Sequence, residues 1–196
     1  MSRAFAPVTT GPLYVGFSVR VENLEGADFL NFQVSDGATG DVTQALGVGI
    51  RNNAGNPFFA RSGSSGTGQT TNAAQLATDM TDFRVVAKFS QNASQWEIAE
   101  LFINPPDEFE PVTPDAIANS TAPNMTQLDL FTVRSVGIGG DDAVFIDDLI
   151  FADNFADALG IPAVAAAVPE PASIAVWALL GLGCAGFGYV RARLKK

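Results

Sequence analysis

Leu13, Val15, Phe17, Val19 and Val21 alternate strictly with Tyr14, Gly16, Ser18 and Arg20 across residues 12–21. Successive side chains of an extended chain point to opposite faces, so this period of two describes a strand with one face on a core and one turned outward. The same period returns at Leu30, Phe32 and Val34, at Leu46, Val48 and Ile50, and at Phe83, Val85, Ala87 and Phe89. Further strands are predicted at residues 96–103, 128–138 and 144–151. In the last, Phe145, Asp147, Leu149 and Phe151 alternate with Val144, Ile146, Asp148 and Ile150. Both faces are largely apolar, which predicts a central strand covered on both sides, with Asp147 and Asp148 needing a special explanation. Turn residues at 36–41, 52–57, 104–107 and 139–142 separate these runs. The pattern predicts an all-β fold, an antiparallel jelly-roll sandwich. Before Ala172 only residues 153–159 read as a helix, and residues 62–71 and 105–123 read as surface loops.

Charge narrows the chemistry. The 196 residues include no His and one Cys, with 11 basic against 21 acidic side chains. Without an imidazole, Ser-His, Cys-His and His-metal mechanisms are closed. A net charge of -10 argues against a nucleic-acid partner, which would need clustered cations. The acids crowd into residues 1–168, whereas the last six residues hold Arg191, Arg193, Lys195 and Lys196 and no anion.

Those cations follow an uncharged stretch, residues 172–190. As a helix it would measure roughly 28 Å, close to the thickness of a bilayer's hydrocarbon core. Apolar on every face and ending at a basic cluster, it is predicted to cross a membrane once, with the basic tail cytoplasmic and the acidic domain outside. Cys184 within it reads as a small packing residue. Gly181, Gly183, Gly186 and Gly188, with Ala185, give only a weak helix-packing signal.

Ahead of the span stands Val168-Pro169-Glu170-Pro171. The two prolines fix φ and remove two donors, so this peptide stays extended and accessible beside the membrane. Pro169, Glu170 and Pro171, then the hydrophobic span, then the basic tail, resemble the PEP-CTERM protein-sorting domain of Gram-negative bacteria, over about residues 168–196. The resemblance implies that the triplet is read by an exosortase, a membrane-embedded processing enzyme. It also implies export into envelope or biofilm matrix, with inner-membrane anchoring before processing. The first residues contain no secretory signal, which leads us to expect a misplaced start or a fragment.

A second resemblance, to the concanavalin A-like, laminin-G-like jelly roll, rests on Tyr14–Arg20, on Leu101-Phe-Ile-Asn-Pro105 and on the closing run at residues 144–151. It implies a sandwich over residues 11–160, with N-terminal strands missing ahead of it. The predicted organisation is an extension at 1–10, the sandwich at 11–160, a linker at 161–168 and the sorting signal at 169–196.

Glu97 and Glu100 are the best carboxylate pair for glycoside hydrolysis. Their spacing of three sends strand side chains to opposite faces, whereas a retaining pair must converge to about 5 Å, so no enzyme is expected. Glu108 and Glu110 read as solvated loop charges. Asp36, Asp41, Asp141, Asp142, Asp147 and Asp148 offer oxygen ligands that suit calcium, but turn capping is the favoured reading and no cofactor is assigned. Sugar binding would need an aromatic platform, for which Tyr14 and Trp96 are the candidates beyond Phe. The sequons at Asn92, Asn119 and Asn124 are read as chance. The expectation is a non-enzymatic exported protein, with a lectin-like module binding exopolysaccharide as the alternative and a glycoside hydrolase third.

Overall fold

A computed structural model describes residues 1–24, 28–37, 44–51, 56–63 and 68–161. The alternating runs become β2 (Leu13–Glu22), β3 (Phe29–Ser35), β4 (Leu46–Arg51), β7 (Asp82–Asn92), β8 (Gln95–Ile103), β10 (Leu128–Val136) and β11 (Ala143–Ala152). Four further strands, β1 (Ser2–Val8), β5 (Pro57–Ser62), β6 (Gln69–Leu76) and β9 (Ala116–Asn119), complete two antiparallel sheets. One runs β1-β10-β3-β4-β5-β6 and the other β11-β2-β7-β8-β9.

The inner faces carry the apolar half of each alternation. Phe17 of one sheet meets Phe32 of the other at 4.1 Å between ring centres, and Phe58 meets Phe83 edge-on at 5.1 Å. Trp96, Leu46, Leu101 and Leu128 are fully buried between them. Burial of such side chains contributes on the order of 2 kcal/mol each.

Several expectations change. Residues 1–10, read as an extension, supply β1, whose Ala4 stands opposite Leu130 of β10. The two stretches read as loops contain the start of β6 and all of β9. These strands are legible only in tertiary context: β6 buries one residue, Ala73, and β9 spans four residues.

The strand expected at the centre, β11, lies at an edge. Its register shifts by one residue between the pairs Asp147–Ser18 and Ile150–Gly16, with Asp148 at φ 53°. This bulge reassigns the faces beyond it. Val144 and Ile146 stand opposite core residues Val21 and Val19, and Phe151 opposite Val15, whereas the unbulged pattern would have aimed Asp148 inward with Ile146. Asp147 and Asp148 are exposed instead, and Asp148 pairs with Arg84 at 3.6 Å. Phe145, turned outward, lies under the Arg20 guanidinium at 4.6 Å.

The helix predicted at residues 153–159 is α1 (Phe155–Ala158), capped by Asn154, whose Oδ1 accepts from the Asp157 N–H at 2.9 Å. It packs Phe155 and Ala158 onto Tyr14, Val86 and Phe102, on the outer face of the five-stranded sheet. Among the described residues no helix is long and apolar enough to cross a membrane. The span expected at 172–190, Cys184, Pro169, Glu170, Pro171, Arg191, Arg193, Lys195 and Lys196 all lie outside the described residues.

Candidate functional site

Strand registers place the outward residues of the six-stranded sheet in rungs. One rung runs Arg134, Asn31, Gly49, Phe59 and Asn72 across β10, β3, β4, β5 and β6. The next runs Thr132, Gln33, Gly47, Arg61 and Thr70 on the same strands. A third sets Val136, Phe29 and Arg51 side by side. No residue of these rungs is acidic, although the chain has 21 acids against 11 basic residues.

The floor of this face is formed by β3 and β4. Asn31 is fully buried and Gln33 nearly so. Neither amide atom of Asn31, nor Gln33 Oε1, nor Arg51 Nε has a hydrogen-bond partner. A buried polar atom left unpaired costs about 1–3 kcal/mol, so a group of them on one sheet face needs a reason. Glycine at 47 and 49 keeps the floor low: a Cβ at Gly47 would stand 2.5 Å from Asn31 Oδ1, and one at Gly49 would stand 1.9 Å from the Leu30 carbonyl oxygen.

The walls are cationic and aromatic. Phe29 stacks on Phe59 with ring centres 5.4 Å apart, and the Arg134 guanidinium lies 5.9 Å from the Phe29 ring. Arg61 donates from Nε to the Gly63 carbonyl at 2.6 Å. Burial lowers its pKa, and so does the neighbouring charge of Arg134. Among the described residues Arg51, Arg61 and Arg134 form no ion pair, whereas Arg20, Arg84 and Lys88 of the five-stranded sheet each hold a carboxylate.

The outer face of the five-stranded sheet is saturated by comparison. Tyr14, Lys88 and Glu100 form one rung. Glu110, from the loop after β8, drops onto it, accepting from the Tyr14 hydroxyl and from Lys88 Nζ, each at 2.6 Å. Lys88 also reaches Glu100 at 3.3 Å. Burial and the bond to Glu110 push the Tyr14 phenol well above its usual pKa of 10.0. For Lys88, burial acts downward but is outweighed by the bonds and charges of Glu110 and Glu100, so its pKa rises. Both groups therefore stay protonated at neutral pH, and the cluster acts as a clasp that fastens the loop to the sheet.

The residues singled out from sequence scatter. Glu97 is buried and accepts from Asn92 Nδ2 at 3.1 Å, while Glu100 serves Lys88 on the outer face. Glu108 is exposed, but Glu110, expected in solvent, is engaged. Asp36 accepts from Gln127 at 3.3 Å, Asp142 from the Gly139 N–H at 3.2 Å and Asp147 from the Asp148 N–H at 2.8 Å. Asp141 offers its carbonyl to Asn23, and Asp41 lies outside the described residues. No three acidic or thiol groups among the described residues converge. Trp96 and Tyr14 are buried, so neither presents a free aromatic surface. Of the sequon residues, Asn119 donates its backbone N–H to Gln69 and Asn124 accepts from Gln95, each at 2.6 Å. Sequence reasoning did not single out Asn31, Gln33, Arg51, Arg61 or Arg134. Their outward phase was readable from the alternation, but their assembly across β10, β3, β4 and β5 was not.

Comparison with known proteins finds the PEP-CTERM protein-sorting motif at residues 167–195. No curated protein matches the chain. Among solved structures, CG-16, a homodimeric agglutinin from chicken liver, is 16% identical, with a TM-score of 0.46 over 78% of this chain and 98% of that one. Alginate lyase Aly36B is 10% identical, with a TM-score of 0.46 over 76% and 71%. A glycoside hydrolase family protein from Mycobacterium thermorestibile is 13% identical, with a TM-score of 0.43 over 75% and 65%.

Proposed function

From a C-terminal motif that marks a chain for export to the cell envelope and for recognition by a membrane-embedded exosortase, we propose that this protein is a non-enzymatic module of the envelope or biofilm matrix. The observation that carries the reading is the motif itself, over residues 167–195. The span at 172–190 holds the chain in the inner membrane while Pro169, Glu170 and Pro171 are read. The basic tail of Arg191, Arg193, Lys195 and Lys196 fixes its orientation. Processing then passes the sandwich to the outer surface or the matrix. The non-enzymatic reading is supported by Glu97 and Glu100, each engaged with a structural partner instead of with the other.

The test is expression in a host with a working exosortase, followed by intact-mass measurement and fractionation. Wild type should lose its tail and leave the inner membrane, and Glu170→Ala should retain both tail and location. Identical processing of the two chains would overturn the reading.

A second reading, a lectin-like module that binds exopolysaccharide, is favoured by the margin of the six-stranded sheet's outer face, where the exposed Arg134 lies beside the partly exposed Phe29 ring. Binding of any polysaccharide to the intact protein supports this reading, and silence across a glycan array removes it.

A further inference from the structure

We propose that the gap between the edge strands β1 and β11 is a binding site for a long-chain fatty acid, with the alkyl chain between the two sheets and the carboxylate on Arg3. This goes beyond the envelope reading and does not rest on it.

Both strands stand at sheet ends, β1 beside β10 and β11 beside β2, and neither pairs with the other. Between them lies a cavity of about 610 Å³, walled by Phe5, Phe131, Val133, Ile146, Leu149 and Phe151. Cavities of about 300–1,000 Å³ are the size that holds small molecules. This wall can be reached from solvent, because Ile146, Leu149 and Phe151 are 40%, 42% and 40% exposed and Phe5 is only half-buried. Contact of water with such a cluster of apolar side chains is unfavourable, and an alkyl chain seated on them removes it. Past the ring contact of Phe5 with Phe151, 5.5 Å between centres, the gap continues along the same two edges beside Val8 and Leu13. Packed sheets stand about 10 Å apart, so this room is long and narrow, the shape of an extended chain.

Arg3 supplies the polar end. It stands opposite Phe131 of β10, a core residue, so its side chain falls on the inner side of β1 together with that of Phe5. It is the only charged side chain lining this end of the gap, and among the described residues it forms no ion pair. The carboxylates of the facing strand are engaged elsewhere, Asp147 with the Asp148 N–H and Asp148 with Arg84. A guanidinium fork at the mouth of an apolar slot matches one carboxylate in two parallel hydrogen bonds, while its alkyl stem lies along the wall. One cation and one slot describe a single-chain acid.

A strand from a second copy suits these edges less well. β1 carries Pro7 and loses its register between Ala4 and Val8, and β11 is bulged at Asp147 and Asp148, both exposed. Neither edge therefore offers a long unbroken ladder to another chain.

The test uses the full chain, one copy per lipid nanodisc, with palmitate carrying a diazirine on its alkyl chain as the probe and the methyl ester of the same molecule as the uncharged control. After photolysis, peptide mass spectrometry should find palmitate adducts on β1 and β11, at Phe5, Ile146, Leu149 or Phe151, and excess plain palmitate should remove them. Arg3→Gln should lower this labelling by about tenfold, to the level of the methyl ester, whose own labelling it leaves unchanged. Leu149→Arg, which fills the gap, should abolish labelling by both. Arg20→Gln, on the outer face of the five-stranded sheet, should change neither. Near-ultraviolet circular dichroism of each variant checks that the sandwich is intact. An inward charge can also serve only to guard an edge against pairing. In that case Arg3→Gln is labelled like wild type, and the carboxylate assignment is refuted. If a phosphatidylcholine with a diazirine on its acyl chain labels the same residues as strongly, the gap faces the bilayer and the fatty-acid site is refuted. Loss of labelling in discs that hold two copies would make a second copy the occupant, and absence of adducts from both strands would remove the site altogether.

Discussion

Replacing Gly16 by alanine should detach α1 from the sandwich. Gly16 lies on the outer face of β2, and a Cβ there would stand 1.7 Å from the Ala158 carbonyl oxygen and 2.7 Å from its carbon. Real Cβ contacts essentially never fall below 3.0 Å, and the obstructing atoms are backbone, so no side-chain rotation can relieve them. The helix must retreat by more than an ångström, and what it gives up can be counted. Phe155 is buried against Phe102 and Tyr14, with edge-on ring contacts at 5.3 and 6.2 Å, and re-exposing it costs about 2 kcal/mol. Arg84 Nη2 loses its bond to the Ala158 carbonyl, now 3.2 Å long, for about 1 kcal/mol more. The total of about 3 kcal/mol corresponds to a melting temperature lower by about 6–12 °C for a domain of this size. Thermal unfolding followed by near-ultraviolet circular dichroism measures it. Hydrogen exchange at the Leu159 and Gly160 amides, which bond back to Phe155, Ala156 and Asp157, reports α1 directly. Gly139→Ala is the control, because its nearest neighbour lies 3.9 Å away, and it should stay within about 0.5 kcal/mol of wild type. A Gly16→Ala protein with unchanged melting temperature and unchanged protection of these amides would refute the reasoning.

Alkaline pH should unclasp the loop after β8. Tyr14 and Lys88 both have raised folded-state pKa values, Tyr14 through burial and Glu110, Lys88 through Glu110 and Glu100 acting against burial. The folded state therefore keeps protons that the unfolded chain releases. Their stabilising contribution is full below about pH 10 and declines as pH rises further. Urea unfolding should show a steeper loss above pH 10 in wild type than in the Tyr14→Phe, Lys88→Met double variant, and equal slopes would contradict the clasp. Asn92→Ala should cost about 1–3 kcal/mol in the same assay by orphaning the buried Glu97 carboxylate, and an unshifted midpoint would show that Glu97 has other support. In a Trp177→Phe chain the remaining indole, Trp96, should resist acrylamide quenching until the sandwich unfolds, because none of its surface is exposed. Ready quenching in the folded protein would place it wrongly.

How far each strand could be read from sequence followed its burial. Where one face meets the core, as in β2, β3, β4 and β7, the period of two is written into the chain and the strand is predictable from it. β6 and β9 bury too little apolar surface to leave such a signature, and β1 combines an arginine, a proline and mostly exposed positions. β11 misled for a different reason. Its apolar residues on two faces describe a covered strand only if the register is unbroken, and the bulge at Asp147 and Asp148 converts the same letters into an edge strand with both aspartates outside. A bulge is a relation between two strands, which no single strand encodes.

The sequence by itself determined the period of the strands, the apolar half of the core, the closed door to imidazole chemistry and the identity of the sorting tail, because each is a property of consecutive residues. The tertiary structure alone decided that Arg134, Asn31, Arg61 and Arg51 share one face, that Glu110 reaches Tyr14 and Lys88, and that Gly16 lies beneath α1. Those neighbours are up to about 140 residues apart in the chain. Antiparallel pairing brings them within reach through backbone hydrogen bonds that carry no record of which side chains will meet.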